Sequence, residues 1–267
     1  LQCTSPGGPA GTSVAVEVSN THGSASRVLF RYHARPTLTS IETINITDFG
    51  TSATTLAGSA ITGATAFNFS NSTNTNVFTV SALPTAANVG LTNQAIGATL
   101  SFATAATSGA ADATTVSVNG LTGAATTLTL TTGTTNGFET LNLASNTTAS
   151  SFSDIAMNGT TLTTVNASGG ANLTITTTLD SNVTTVNASS ATGNVILSQP
   201  NAGAFTYTGG AGNDKISLGA NYGSTDTVNG GAGTDTIGMS SAAAVAVTAA
   251  QSNVTNMEGL TISDALG

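Results

Sequence analysis

Apolar and polar residues alternate along much of this chain with a period of two. Threonine and leucine interleave from Thr126 to Thr132, and an apolar-Glu-x-apolar-x-apolar pattern begins at Ile41, at Phe138 and at Met257. Alternation of this kind is typical of strands, whose successive side chains point to opposite faces. Gly, Asn and Ser interrupt it at the intervals expected of turns. The pattern predicts an all-β protein made of many short strands.

A repeat of 21 residues runs through the C-terminal half. The segment TTVNAS at 163–168 returns as TTVNAS at 184–189, FTYTGG at 205–210 and DTVNGG at 226–231. A repeat of this length is typical of a solenoid, in which each coil stacks on the last. The register predicts three columns of side chains: Val165, Val186, Tyr207 and Val228; Thr164, Thr185, Thr206 and Thr227; and Asn166, Asn187, Thr208 and Asn229.

These observations predict a right-handed parallel β-solenoid, of the β-roll or β-helix kind, over residues 37–267. Because strand side chains alternate, the valine column and the threonine column should lie on opposite faces, and the asparagine column should form an amide ladder. Only 4% of the residues are aromatic. A narrow solenoid has a thin core, so we expect Val, Ile, Leu, Ala and Thr to fill it.

The charge distribution narrows the range of partners. The chain has a net charge of −8, and after residue 36 Lys215 is the one cationic side chain against eleven carboxylates. Such a balance repels nucleic acid and anionic lipid, and it favours a hard cation. Cys3 is the single cysteine, so an internal disulfide is excluded. We expect no nucleic-acid partner and no membrane insertion, and the absence of a signal-like start suggests a mature or excised chain.

Two nonapeptides carry the clearest candidate chemistry. GGAGNDKIS at 209–217 and GGAGTDTIG at 230–238 both fit the pattern GGxGxDxUx. They resemble the calcium-binding β-helix repeat of RTX proteins, although the RTX spacing is nearer 18 residues. The resemblance implies calcium between the two turns, with a poorer ligand from the degraded turn at 223–228. The implied metal-site residues are Gly209, Gly210, Gly212, Asp214, Asp226, Gly230, Gly231, Gly233 and Asp235.

The residue types suit that chemistry. Glycine permits a positive φ that turns carbonyls inward, and Asp supplies a hard anionic oxygen. Calcium takes six to eight oxygens, so two turns one coil apart are needed to hold it. The alternative is that the GGAG turns are only tight corners, with Asp214 and Asp235 bonding to backbone amides. For Asp48, Asp112, Asp154, Asp180 and Asp264 we expect a structural role of this kind.

The N-terminal segment 1–36 differs in character. Its stretches at 3–6, 11–18 and 29–32 resemble the second half of an IPT/TIG immunoglobulin-like domain. Half a sandwich leaves its sheet uncovered. We therefore expect these strands to pair with the first coil, with another chain, or with sequence beyond this segment.

Catalytic motifs are lacking, and we expect no enzyme activity. The sequence has neither HExxH nor GxSxG, and no histidine follows His33. The Thr-, Asn- and Ala-rich solenoid resembles bacterial surface-layer proteins of RTX type and the stalks of large adhesins. That resemblance implies type I secretion, a place on the bacterial cell surface, and self-association with like subunits, with cell-surface polysaccharide as a further partner.

Other functions remain open at this stage. The chain fits an adhesin stalk, or a calcium-dependent C-terminal module of a secreted enzyme. An ice-binding solenoid is a further alternative, because the column of Thr164, Thr185, Thr206 and Thr227 is regular. We favour a self-assembling surface-layer or filament subunit.

Overall fold

The computed structural model describes residues 16–19, as backbone only, together with 41–73, 76–94, 96–123, 126–132, 136–158, 161–246 and 253–264. The segment that resembles an immunoglobulin-like domain therefore lies outside the described residues, apart from one strand. No helix in these ranges is long and apolar enough to span a membrane.

The fold is a parallel β-solenoid, as the sequence predicts. One wall is an eleven-stranded sheet that runs the length of the stack. Its strands, in spatial order, are β1 (Val16–Ser19), β2 (Thr43–Thr47), β4 (Ala66–Ser70), β6 (Asn88–Thr92), β8 (Ala113–Asn119), β10 (Thr140–Ser145), β13 (Thr164–Gly169), β15 (Thr185–Ala191), β17 (Thr206–Thr208), β19 (Thr227–Asn229) and β21 (Val254–Thr255). We call this sheet the long wall.

Two shorter sheets close the coils on the other side. A five-stranded sheet serves the N-terminal coils, in the order β12 (Asp154–Asn158), β9 (Thr127–Thr131), β7 (Ala98–Phe102), β5 (Phe78–Leu83) and β3 (Thr54–Ala57). A six-stranded sheet serves the C-terminal coils, in the order β11 (Ser150–Phe152), β14 (Leu173–Thr178), β16 (Val195–Ser198), β18 (Lys215–Gly219), β20 (Thr236–Met239) and β22 (Gly259–Ile262). The short helices are 3-10 turns at Gly58–Ala60 and Thr104–Thr107 and helix α1 at Ser241–Ala246.

The predicted columns are confirmed. Val165 pairs with Val186, Val186 with Tyr207, and Tyr207 with Val228, always between parallel strands. These four side chains are fully buried, whereas the threonine column is half-buried or exposed. The same register aligns the asparagine column. Amide bonds extend it at both ends, because Asn166 Nδ2 donates to Asn142 Oδ1 and Asn256 Nδ2 donates to Asn229 Oδ1, each at 2.9 Å.

Coil length varies along the stack. Along the long wall the spacing is 21 residues from β13 to β19, but 26 between β19 and β21, 27 between β6 and β8 and 23 between β2 and β4. The extra residues lie in the corners, so the strands keep their register while the loops change. This explains why the repeat is readable in the sequence only after residue 163.

The core holds more aromatic side chains than the composition led us to expect. Most buried residues are aliphatic, yet Phe67, Phe138, Phe152, Phe205 and Tyr207 are among the largest fully buried side chains. Phe102 and Phe138 pack edge to face, with ring centroids 5.2 Å apart. Most aromatic residues of the described part of the chain thus lie in the interior, where each buries a large apolar area.

The three apolar-Glu segments do not occupy equivalent places. The segments beginning at Ile41 and Phe138 form β2 and β10 of the long wall, whereas the segment beginning at Met257 forms β22 of the six-stranded sheet. Strand β1 extends the long wall by one parallel strand, with Val16 opposite Ile44.

Candidate metal centre

The two glycine turns lie one above the other at a single corner of the solenoid. The first connects β17 to β18, and the second connects β19 to β20. Lys215 pairs with Thr236 in parallel register, so Asp214 and Asp235, which directly precede them, are stacked. Both carboxylates are buried, with 1% and 0% of their surface exposed. The sequence prediction that the turns share one edge is confirmed.

The Asp214 carboxylate links two coils through backbone amides. Its Oδ1 accepts a hydrogen bond from the Val195 amide of the preceding coil at 2.8 Å, and its Oδ2 accepts from the Gly210 amide of its own turn at 2.9 Å. Asp235 repeats half of this arrangement, because its Oδ1 accepts from the Asp214 amide at 2.7 Å. These bonds match the amide-bonding alternative considered from the sequence.

Asp235 Oδ2 is different, because it is buried and has no hydrogen-bond partner. The equivalent donor, the Gly231 amide, is held by Asn229 Oδ1 at 3.1 Å. In the first turn Thr208 occupies the position of Asn229, and the Gly210 amide goes to Asp214. The exchange of Thr208 for Asn229 and the positive φ of Gly231 therefore both accompany the unpartnered oxygen.

The electrostatics at this corner disfavour a second negative charge. Burial raises the pKa of Asp235, and the nearby Asp214 and Glu258 carboxylates raise it further, against the lowering effect of the bond from the Asp214 amide. The Tyr207 hydroxyl is also buried without a partner, and burial together with the Asp214 and Asp235 charges raises the pKa of that phenol. A cation beside Asp235 would relieve this charge.

Glycine is required here mainly by space. A Cβ on Gly209 would collide with the Gly230 carbonyl oxygen, and one on Gly210 with the Ala191 carbonyl oxygen. A positive φ occurs only in the second turn, at +95° for Gly231 and +131° for Gly233. Gly212 and Gly230 face backbone carbonyls at similarly close range. Carbonyl oxygens from adjacent coils thus crowd the same corner as the two carboxylates.

Asp226 lies at the opposite corner, as expected for the degraded turn. Its Oδ1 accepts from the Phe205 amide at 2.9 Å and its Oδ2 from the Gly223 amide at 2.8 Å. The side chain is buried, with 1% of its surface exposed. Asp226 is therefore separated from Asp214 and Asp235, and both of its oxygens already have donors.

Sequence reasoning assigned no role to three neighbours of this site, Glu258, Asn194 and Asn213. Glu258 continues the acidic column one coil beyond Asp235, and its Oε2 accepts from the Asp235 amide at 2.8 Å. Asn194 Oδ1 accepts from the Asn213 amide, and Asn213 Oδ1 accepts from the Thr234 amide, at 2.9 and 2.8 Å. The acids thus bond to the preceding coil and the asparagines to the following one. The spacings differ, at 19 residues from Asn194 to Asn213 and 23 from Asp235 to Glu258, so the 21-residue repeat does not locate these residues.

The donor chemistry at the corner fits calcium, with Asp235 as its centre. Calcium binds carboxylate and carbonyl oxygens, and a carboxylate oxygen that accepts one hydrogen bond keeps a second lone pair. Within the described ranges no group of three or more His, Cys, Asp or Glu side chains is arranged to hold a metal. An ion here would therefore need backbone carbonyls from the glycine turns as well as Asp235 and Asp214.

Comparison with protein-family models finds no match. Searches of curated proteins and of solved structures find none either.

Proposed function

We propose that this chain is a non-catalytic, secreted structural protein: a self-assembling surface-layer or filament subunit whose coil stack is stabilised by calcium at the corner of Asp214 and Asp235. The observation that carries the proposal is Asp235 Oδ2, a buried carboxylate oxygen without a partner, in the second of two stacked glycine turns. A buried, unpaired carboxylate oxygen is costly unless a proton or a cation compensates it.

A structural role is supported by what the other carboxylates do. Asp112, Asp214 and Asp226 use their oxygens to bind backbone amides at corners. Groups committed in this way stabilise the coil stack. By extension from the resemblance to surface-layer proteins of RTX type, the proposed setting is the bacterial cell surface after type I export, where calcium is available to complete folding.

Thermal melting with calcium and with a chelator tests the proposal. Calcium at about 100 times its dissociation constant should stabilise the fold by about 2.7 kcal/mol, which raises Tm by roughly 5–10 °C. Magnesium should do much less, because it demands a smaller octahedral site. Sedimentation of the same samples over a range of protein concentrations reports assembly.

Two variants make the test specific. Asp235→Asn keeps an acceptor for the Asp214 amide but removes the charge, so it should abolish the calcium increment. Asp226→Asn is the matched control at the opposite corner, and it should lower the baseline Tm while keeping the increment. A wild-type Tm unmoved by calcium would refute the metal site, and a protein that stays monomeric at every concentration would refute self-assembly.

A further inference from the structure

The outer face of the long wall is free of charge over most of its length. The ten strands from β2 to β21 in this sheet contain no Asp, Glu, Lys, Arg or His within the described residues. Their outward positions hold Thr, Asn, Ser, Ala and Gly, as in Thr43, Asn45 and Thr47 of β2. The strands of the two shorter sheets contain one charged residue each within the described residues, the half-buried Lys215 in the six-stranded sheet and the half-buried Asp154 in the five-stranded sheet.

Neutrality matters because the rest of the molecule is strongly acidic, with a net charge of −8 for the chain. Two copies repel one another wherever carboxylates meet, and like charges across an interface cost several kcal/mol. The outer face of the long wall avoids this cost. Of the three sheet faces it is the longest, with eleven strands against six and five, so it offers the largest area on which a second copy of an acidic protein approaches without opposed carboxylates.

The size of the face suits a stable interface. Ten strands spaced about 4.8 Å apart, each about five residues long, cover roughly 45 by 17 Å, or about 750 Å² per copy. Two copies would bury about 1,500 Å² in total, which is close to the usual size of a specific protein–protein interface.

The side chains on this face are already ordered. Asn68 Nδ2 donates to Asn45 Oδ1 at 3.0 Å, and Asn166 Nδ2 donates to Asn142 Oδ1 at 2.9 Å. Side chains held in ladders lose little further freedom on binding, which lowers the entropic cost of association. A like face has the same strand spacing, so its amides and hydroxyls match this array from coil to coil.

We infer that two copies of this chain pack through the outer faces of their long walls. The inference rests on the proposed self-assembly and identifies the surface that carries it. The partner is a second copy, because a like face satisfies the charge, area and spacing requirements together.

The acidic residues also select an orientation. Glu42, Asp112 and Glu139 are exposed or half-buried and precede their strands, so they line one rim of the face. Asn71 and Asn93 follow theirs on the other rim. The acids of that second corner are Asp48, Asp214 and Asp235, which are buried, and Glu258, which lies beside β22. If the two-fold axis is parallel to the solenoid axis, the facing strands of the two copies are antiparallel. Each acidic rim then lies over the partner's asparagine rim. A two-fold axis along the strands would instead bring the acidic rims together.

Matched charge insertions test the interface. Thr206→Glu with Thr227→Glu places two charges on exposed positions of the face, and Thr176→Glu with Thr178→Glu places two on exposed positions of the six-stranded sheet. In sedimentation equilibrium with calcium, the wild-type and control proteins should dimerise, and the face variant should dimerise at least 10-fold more weakly. Circular dichroism melts establish that all three are folded.

Each outcome separates the possibilities. A wild type that never associates refutes both the proposed self-assembly and this face. If the wild type and the face variant self-associate equally strongly, the long wall is not the interface, although self-assembly itself stands. Binding of a monomeric wild type to a neutral polysaccharide or to ice, lost in the face variant, would replace the second copy with that surface.

Spin labels test the orientation, in a protein whose Cys3 is replaced by serine. Labels at Asn45 and, separately, at Thr227 lie near opposite ends of the long wall. With parallel solenoid axes, both positions should give short label-to-label distances across the dimer. Distances of roughly 40 Å at both positions, the length of the wall from its strand spacing, would show antiparallel axes and contradict the inferred packing.

Discussion

Asp235 accepts the amide hydrogen of Asp214 at 2.7 Å, so each acid of the glycine corner caps the coil before it. The same relationship joins Glu258 to the Asp235 amide and Asp214 to the Val195 amide. Four successive coils are therefore linked by a column of carboxylates. In a solenoid each coil contacts only its neighbours, so links between neighbouring coils determine the stability of the stack.

Removal of the Asp214 carboxylate should destabilise the protein strongly. Asp214→Ala leaves the buried amides of Val195 and Gly210 without acceptors, at about 1–3 kcal/mol each. We expect a loss of about 2–6 kcal/mol in the free energy of unfolding, measured by urea denaturation. Asp264→Ala is the control, because Asp264 caps Ser241 at an exposed corner and its loss should change stability by less than about 1 kcal/mol. Equal effects from the two variants would contradict the importance of the buried corner.

A methyl group at Gly209 should disrupt the same corner. The Cβ of Gly209→Ala would collide with the Gly230 carbonyl, and such overpacking costs about 1–3 kcal/mol or more. Gly223 has open space around its Cβ position and no left-handed φ, so Gly223→Ala should be neutral or slightly stabilising. The comparison is made by thermal melting with a chelator present. A neutral Gly209→Ala would show that the two turns are not in close contact.

Replacing Asn229 with the residue type found in the first turn should give Asp235 the hydrogen bonding that Asp214 has. Asn229→Thr places at the second turn the residue type that Thr208 provides at the first, which frees the Gly231 amide for Asp235 Oδ2. We expect a lower pKa for Asp235 and a smaller calcium increment in Tm, because the unpartnered oxygen gains a donor. Carboxyl titration by NMR and calcium melts check both effects. An unchanged pKa for Asp235 would show that Asn229 does not control whether Asp235 Oδ2 has a hydrogen-bond donor.

A second pair of carboxylates should give the protein a pH-dependent stability. Burial raises the pKa of Asp154, and burial followed by the Asp154 charge raises the pKa of Asp180, whose Oδ2 is buried and unpartnered. Because both folded-state pKa values lie above the unfolded value of 3.8, the folded state binds more protons. The contribution of this pair to stability therefore falls as pH rises from 3.8 through the raised values.

Asp180→Asn removes this repulsion. Its carbonyl oxygen still accepts the hydrogen bond from the Met157 amide, so only the charge is lost. The variant should be more stable than the wild type at pH 7, by a few tenths to about 1 kcal/mol, and equal to it near pH 3. Urea denaturation across this pH range measures the difference. If the variant loses as much stability between pH 3 and pH 7 as the wild type does, the Asp154–Asp180 pair is not the cause of the pH dependence.

The sequence predicted most where coils repeat most closely. Val165, Val186 and Val228 recur at constant spacing, so their shared column follows from strand alternation alone. At β11 and β12 the six-stranded sheet replaces the five-stranded one. No repeated sequence motif marks this point, and the corners around it vary in length from coil to coil. A local sequence pattern therefore could not predict where one sheet replaces the other.

The candidate site was predicted in outline but not in its bonding. The stacking of Asp214 on Asp235 follows from the motif spacing. The free Asp235 oxygen depends on whether Asn229 or Asp235 reaches the Gly231 amide, which is a competition between side chains in three dimensions. Glu258 was missed because it lies 23 residues beyond Asp235, outside the 21-residue spacing.

Anomalous diffraction from crystals grown with calcium tests the central claim most directly. We expect an anomalous peak about 2.3–2.6 Å from Asp235 Oδ2, with further oxygens supplied by the glycine turns. A structure determined at millimolar calcium without a peak at that corner, and with Asp235 Oδ2 still unpartnered, would contradict it.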